Sequence, residues 1–346
     1  MINLYEGKIK YSVLDKILKP NIVSEITSDN VVSLIIDLKS FFRKIYRLAS
    51  QNEEILKEDI VSEVLNLAGH FRNYFFKLNK YTDIYFLYNP VPSDLYRENF
   101  PEYKKKLYNF QHELDLPSVF TASFEMLKLI SAYIPHMYTI DTSQEDDYIY
   151  SREILKTNDS KYKIIITTDD MMFPLVSLSD LIIVPKGDNS VVLNKGNVVS
   201  YLTGIDEDNV VRPDSLNLLL SMSGCKKNDI KGVQGYSYKK AYRMLSKMIR
   251  NQSMVSNEYL EIKKLKEILL DYFNPEITDI ILNNYSFLNL DHFVRKNKIN
   301  ISDIRVRIEK MKIEKNTTVD LLNDLNAKIM RNPINLDFIL KGEEIW

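Results

Sequence analysis

A chain of 346 residues with a single cysteine, Cys225, cannot build a disulfide framework, and it fits a reducing compartment. Histidine is scarce as well. His70, His112, His136 and His292 are scattered, none at metal-ligand spacing from another, so each reads as a core or surface side chain rather than a ligand. No apolar run of about 18 residues occurs, and the start has no charged stretch leading into an apolar one, which argues against membrane spanning and against secretion. A soluble, cytoplasmic protein is expected. An excess of one charge is missing too: 46 Lys and Arg face 47 Asp and Glu, a net charge of -1, so any attraction to nucleic acid must come from local patches. The sequence also holds no repeat, low-complexity tract or long flexible linker.

What is present is a large apolar fraction, 45%, enough for a substantial core. The length suits two domains, or one α/β domain with a helical annex. After a mixed lead-in, Met1 to Asn30, the stretch "VVSLIIDLKSFFRKIYRLA" predicts a strand ending at Asp37 and an amphipathic helix with Phe41, Phe42, Ile45 and Leu48 on one side. A helix over Lys57 to Leu78 and a strand "DIYFLYNP" follow, and strand, helix, strand is the grammar of a parallel sheet. Past Pro92 the chain is crowded with Lys, Arg and Tyr. Then come a helix "TASFEMLKLISAYI", a short strand "HMYTI" and an acidic helix start, "DTSQEDDYIYSREILK". A Gly-Asp-Asn turn in "SDLIIVPKGDNSVVLNKGNVVSYL" predicts a β-hairpin, after which the pattern is helical. The expected fold is α/β, a mainly parallel twisted sheet with helices on both faces and a helical C-terminal region.

The stretch "IIITTDDMMFPLVS", Ile164 to Ser177, sends a buried strand straight into Asp169 and Asp170. Acids at the C-terminal end of a parallel strand face the crevice where such sheets bind ligands, which points to a metal or a phosphate. Asp at a helix start also accepts backbone N–H bonds at a favourable dipole end, and on this stretch alone capping is the stronger reading.

Three acid-tipped strands followed by "GVQGYSYKKAYRML" resemble the flap endonuclease and 5′-to-3′ exonuclease family, in the phage branch that includes the phage-type ribonuclease H. The order and spacing over residues 30 to 290 carry the resemblance. It implies a PIN-like 5′-nuclease domain over residues 1–205 with an arch near 93–115, a helix-hairpin-helix-type clamp within 206–290, and a helical extension over 291–346. It further implies metal ligands Asp37, Glu145, Asp146, Asp147 and Asp169, an arch grip by Arg97, Tyr103 and Lys104, and clamp contacts to DNA from Lys231, Gly232, Gly235, Ser237, Lys239 and Lys240. Asp37, Asp146, Asp147, Asp169, Lys104 and Arg97 would then carry catalysis. Oxygen-only ligands suit Mg²⁺ or Mn²⁺, and the family allows K⁺ at the clamp.

Several positions depart from the pattern. The second acid of the "TTDD" strand falls on Met171, the clamp's acid pair falls on Cys225 and Asn228, the second strand offers Tyr88 and Asn89 in place of Asp, and Gln144 stands where Glu is expected, with Glu145 one residue on. Asp170 and Asp229 are the remaining substitutes. Each lost anion weakens a hard-cation site. The expectation is a reduced site with weak, single-ion hydrolysis, set against a non-catalytic homologue whose acids survive as helix caps and which acts as a scaffold or as a partner in replication or transcription. A single-domain ribonuclease is disfavoured because a glycine clamp suits duplex backbone. Lys226, Lys227, Lys231, Lys239, Lys240, Arg243, Lys247 and Arg250 cluster around the glycine turn in an otherwise neutral chain. The expected partners are DNA with 5′ ends or flaps, an RNA–DNA hybrid, and a replication protein met through the extension. The weight of Lys, Asn, Ile and Tyr suggests an AT-rich genome, and the divergence suggests a phage, hence a host-cell cytoplasm.

Overall fold

The computed structural model of the chain describes residues 32–39, 57–76, 82–89, 94–103, 116–158, 160, 162–185, 190–205, 210–251, 261–310 and 323. The lead-in, the expected helix at Phe41 to Leu48, the Gly-Asp-Asn turn and Lys104 lie outside them.

Ile- and Val-rich stretches with no polar interruption form the centre of a six-stranded sheet. Its strands are β1 (Val32–Asp37), β2 (Thr82–Tyr88), β3 (Met137–Asp141), β4 (Tyr162–Ile166), β5 (Leu181–Val184) and β6 (Val191–Leu193), in the order β3-β2-β1-β4-β5-β6. The first five run parallel; β6 turns back antiparallel to β5 as the expected hairpin. Asn197 closes that edge, donating its side-chain amide to the Val192 carbonyl at 2.9 Å and accepting from the Asn194 N–H at 2.8 Å.

Successive side chains of a strand face opposite sides, and here both sides are covered. Leu34, Ile36, Ile84, Phe86, Ile164 and Ile166 pack beneath α1 (Lys57–Phe76) and α3 (Leu116–Ser131). Their neighbours Ile35, Tyr85, Leu87, Ile165 and Ile182 pack on the other face with α2 (Asp94–Asn99), α4 (Asp147–Thr157) and a 3₁₀ segment, Asp170–Ser177. Helices on both faces of a mainly parallel sheet, with a helical C-terminal region, are therefore the architecture.

The helical region begins with α5 (Val198–Thr203) and α6 (Leu216–Ser223), passes a two-stranded ribbon of β7 (Gly224–Cys225) and β8 (Ile230–Lys231), and continues through α7 (Tyr238–Arg250), α8 (Ile262–Leu270), α9 (Pro275–Leu288), α10 (Leu290–Lys296) and α11 (Ile301–Lys310). Leu218, Leu219, Met222, Leu245, Met248, Leu265 and Ile281 give it a core of its own. Helices α10 and α11 instead return to the sheet: Phe293, Ile304 and Ile308 join the second-face core. Glu153 of α4, fully buried, accepts from Arg152 at 2.7 Å and from Arg305 of α11 at 2.9 Å, so a buried carboxylate is matched by two guanidinium groups. Among the described residues no helix is long and apolar enough to cross a membrane.

Candidate functional site

The strand order reverses at β1. The chain moves from β1 outward to β2 and β3, then returns to lay β4 on the other side, so a crevice opens beyond the C-terminal ends of β1 and β4. The predicted acids sit on that edge. Asp37 ends β1, and its Oδ2 accepts from Thr167 Oγ1, just past β4, at 2.7 Å. Asp146 and Asp147, after β3, open α4: Asp146 caps the helix by accepting the Tyr148 N–H at 3.3 Å, and Asp147 accepts from the Thr142 hydroxyl. Asp169 caps the 3₁₀ segment by accepting the Met171 N–H at 2.9 Å. Capping is thus what Asp146 and Asp169 do locally, and their position on the crevice is what they do globally.

The other partners of these acids carry the chemistry. The Asp169 Oδ1 that caps also accepts from Asn228 Nδ2 at 2.6 Å, and Asn228 donates to the Cys225 sulfur at 3.1 Å. Asp170 receives the Lys227 ammonium at 2.9 Å on Oδ1 and the Tyr238 hydroxyl at 3.1 Å on Oδ2, while the same ammonium donates to the Thr168 carbonyl. Burial and the neighbouring Asp170 hold the Tyr238 hydroxyl well above the usual tyrosine range, so it stays a proton donor. Burial likewise pushes the Cys225 thiol up, aided by Asp169 and Asp170, so it is no thiolate ligand. Asp146 Oδ2 accepts from the buried Tyr103 hydroxyl at 3.1 Å and from Asn89 Nδ2 at 3.4 Å.

Glu145 is held by side chains of α4 and α11. Arg307 of α11 donates to it at 2.5 Å and to Gln144 at 3.2 Å, and Tyr150 adds a hydroxyl at 3.1 Å. Among the described residues no three His, Cys, Asp or Glu side chains group to hold a metal ion. With an amide, an ammonium and a phenol donating to the acids at the end of β4, the residues present do not fit a two-ion centre of oxygen ligands. One feature leans the other way: the buried Asn89 Oδ1 finds no donor among the described residues, beside Asp146.

The expected arch contacts come out differently from the expected clamp contacts. Tyr103 is 1% exposed, packed against Tyr96 and Phe287 with ring centroids 5.1 and 5.2 Å away, so its face is covered by core rather than offered to a base. The reason is spacing: Tyr96, Phe100 and Tyr103 recur at a helical period, and the C-terminal helices supply Phe287 and Phe293 to cover them. Arg97 is paired with Asp94 on its own helix turn.

In the stretch expected to form a clamp, Lys231, Ser237, Lys239 and Lys240 are exposed, and Ser237 caps α7 by accepting the Lys240 N–H at 3.3 Å. The Lys240 ammonium lies 4.4 Å from the centre of the Tyr236 ring. Gly235 has φ 77°, the left-handed turn that glycine adopts without strain. Gly232 has another role: a Cβ there would lie 2.2 Å from the Ser223 carbonyl carbon and 2.4 Å from the Gly224 nitrogen, so it is required where two backbones cross. Asn284 of α9 pins the crossing, donating to the carbonyls of Ser221 at 3.0 Å and Lys231 at 2.8 Å. Asp229 sits at φ 56° and ends the short turn between β7 and β8. Sequence reasoning named Lys227 only as one of a run and did not name Tyr238 or Arg307; the one available signal was that "CKKND" puts lysines beside a lost acid pair.

A mainly parallel sheet with carboxylates at its switch point, and the lysine-bearing helix α7 after the β7–β8 ribbon, place the chain among the mainly parallel α/β proteins. Its fold is that of the 5′-nucleases. The T5 5′-exonuclease with bound zinc superposes with a TM-score of 0.59 at 13% identity, covering 82% of this chain and 99% of that one. The bacteriophage T5 flap endonuclease in a pseudo-enzyme–product complex with DNA and metal ions gives 0.56 at 14%, with 82% and 99% covered. A third T5 structure, co-crystallised with metal ions, gives 0.52 at 14%, with 79% and 98%. No family model and no curated protein matches the sequence.

Proposed function

We propose that this chain binds DNA at 5′ ends or flaps through the 5′-nuclease fold and does so without hydrolysing it. The observation that carries the reading is the set of donors on Asp169 and Asp170: Asn228, Lys227 and Tyr238 bond the oxygens that a hard cation would need. The grip is the basic hairpin, with Lys231, Lys239 and Lys240 exposed around the Gly235 turn and the duplex backbone as their ligand. In this reading residues 1–205 hold the crevice, with the arch near 93–115, residues 206–290 clamp the duplex, and 291–346 meet a replication protein. A phage replication role in the host cytoplasm, an RNA–DNA hybrid as a further ligand and K⁺ at the clamp belong to the same proposal.

A second reading, weak single-ion hydrolysis with Mg²⁺ or Mn²⁺ by Asp37, Asp146, Asp147 and Asp169 with Lys104 and Arg97, is favoured by the undonated Asn89 oxygen beside Asp146 and by the metal ions in the T5 structures. One experiment separates them. A labelled 5′ flap is incubated with the protein in Mg²⁺, Mn²⁺ or chelator, and both binding and cleavage are followed. Binding without cleavage in all three is expected. Cleavage that chelation and Asp37→Ala abolish would establish the second reading instead.

A further inference from the structure

The Lys227 ammonium reaches across 57 residues of sequence to the end of β4, where it donates to Asp170 Oδ1 at 2.9 Å and to the Thr168 carbonyl. An ammonium has three N–H donors, and these contacts use two. The side chain is 48% exposed, so the head lies at the mouth of the crevice rather than inside it. Asp170 is 14% exposed and takes a second donor from Tyr238, while Asn228 holds Asp169 at 2.6 Å. Lysine and amide together thus supply donors to both acids on one side of the switch point.

We infer that Lys227 is a built-in cation at the end of β4, and that its remaining N–H binds a DNA phosphate at the crevice mouth in the place of a metal-held one. The inference rests on the DNA-binding reading above and adds where the phosphate sits and what holds it. Chemistry supports the assignment. A monovalent ammonium fixed by a carboxylate and a carbonyl is a point charge suited to phosphate, and being covalently attached it is present at every concentration of divalent ion. Partial burial alone would lower the Lys227 pKa, but the attraction and hydrogen bond of Asp170, with Asp169 behind it, raise it above the usual lysine value, so the head is charged at any physiological pH.

The test measures the affinity of the full chain for a 5′-flap duplex in chelator, across a salt series, for the wild type, Lys227→Ala and Lys227→Gln. The glutamine keeps a donor for Asp170 and guards against a folding defect, which a thermal melt of each variant monitors. The wild type is expected to bind equally well with and without divalent ion. Both variants are expected to lose about tenfold in affinity near 0.1 M salt and to show a log-log salt slope flatter by about 0.9, one phosphate contact. Mn²⁺ is expected to restore part of the Lys227→Ala affinity, because losing the ammonium frees Asp170 Oδ1, while Asn228 and Tyr238 go on donating to the half-buried Asp169 and Asp170. Folded variants with wild-type affinity and slope would overturn the inference while leaving the DNA-binding reading intact. A wild type that binds no DNA at any salt would overturn the reading and the inference together, and one that binds only with divalent ion would overturn the inference.

Discussion

At the scale of single residues, the crevice is decided by a substitution that changes one atom in a side chain. Asn228 stands where an acid would be expected, and by replacing an oxygen with an NH₂ group it turns a repulsive neighbour of Asp169 into a donor at 2.6 Å. Asn228 is almost fully buried, as is the Cys225 sulfur it also meets. Asn228→Ala is therefore expected to cost about 1.5–3 kcal/mol, the usual worth of a hydrogen bond to a charged group, with the half-buried Asp169 Oδ1 keeping only the Met171 N–H, read as a lower denaturant midpoint at unchanged slope. Asn228→Asp should cost more, because two carboxylates would then share the space. An Asn228→Ala protein as stable as the wild type would show that water replaces the amide. The resemblance implies an acid at this position; the sequence could not reveal what the amide there would bond. Asp170 and Lys227 are 57 positions apart, and Glu145 and Arg307 are 162 apart, so nothing local marks them as partners.

At the scale of elements, what was legible followed periodicity. The unbroken apolar runs in "LIID" and "IIIT" predict strands covered on both faces, and the split of Ile35 from Ile36 and of Ile165 from Ile166 between two cores is the two-residue period of a strand seen in space. Tyr103 shows the limit, since aromatic residues at helical spacing look alike whether they cover a core or wait for a base. The connection between α6 and α7 shows a second limit, because Gly232 and Gly235 look equivalent in sequence and are not. Gly232→Ala would push a methyl into backbone at 2.2 Å with nothing able to rotate away, whereas Gly235→Ala meets only the end of the Lys240 side chain at 4.0 Å and the left-handed penalty. The second change is expected to cost about 1–2 kcal/mol and the first clearly more, by thermal or chemical denaturation. Equal costs would mean the crossing relaxes. On α7 itself, the double change Lys239→Ala, Lys240→Ala should weaken binding to all duplex sequences alike and flatten the salt slope by about two contacts. An unchanged slope would put the DNA elsewhere.

At the scale of the whole molecule, charge as well as packing ties residues distant in sequence together. Helix α11 reaches back to α4 through Arg305 and Glu153 and to the acidic loop through Arg307 and Glu145. Residues beyond the family resemblance therefore help shape the edge on which the acids sit. A different property of the molecule comes from Asn197 at the end of the β5–β6 hairpin. The outermost strand of an open sheet offers its backbone to any other extended chain, and that is how native proteins polymerise into cross-strand aggregates. Here β6 is only three residues long, and the Asn197 amide takes the Val192 carbonyl for itself. In a crowded cell making many copies of this chain, that one side chain is a guard against self-templating. Asn197→Ala should leave the melting temperature within a few degrees yet raise light scattering on prolonged incubation at high protein concentration, and equal scattering from both proteins would assign that protection to the shortness of β6 alone.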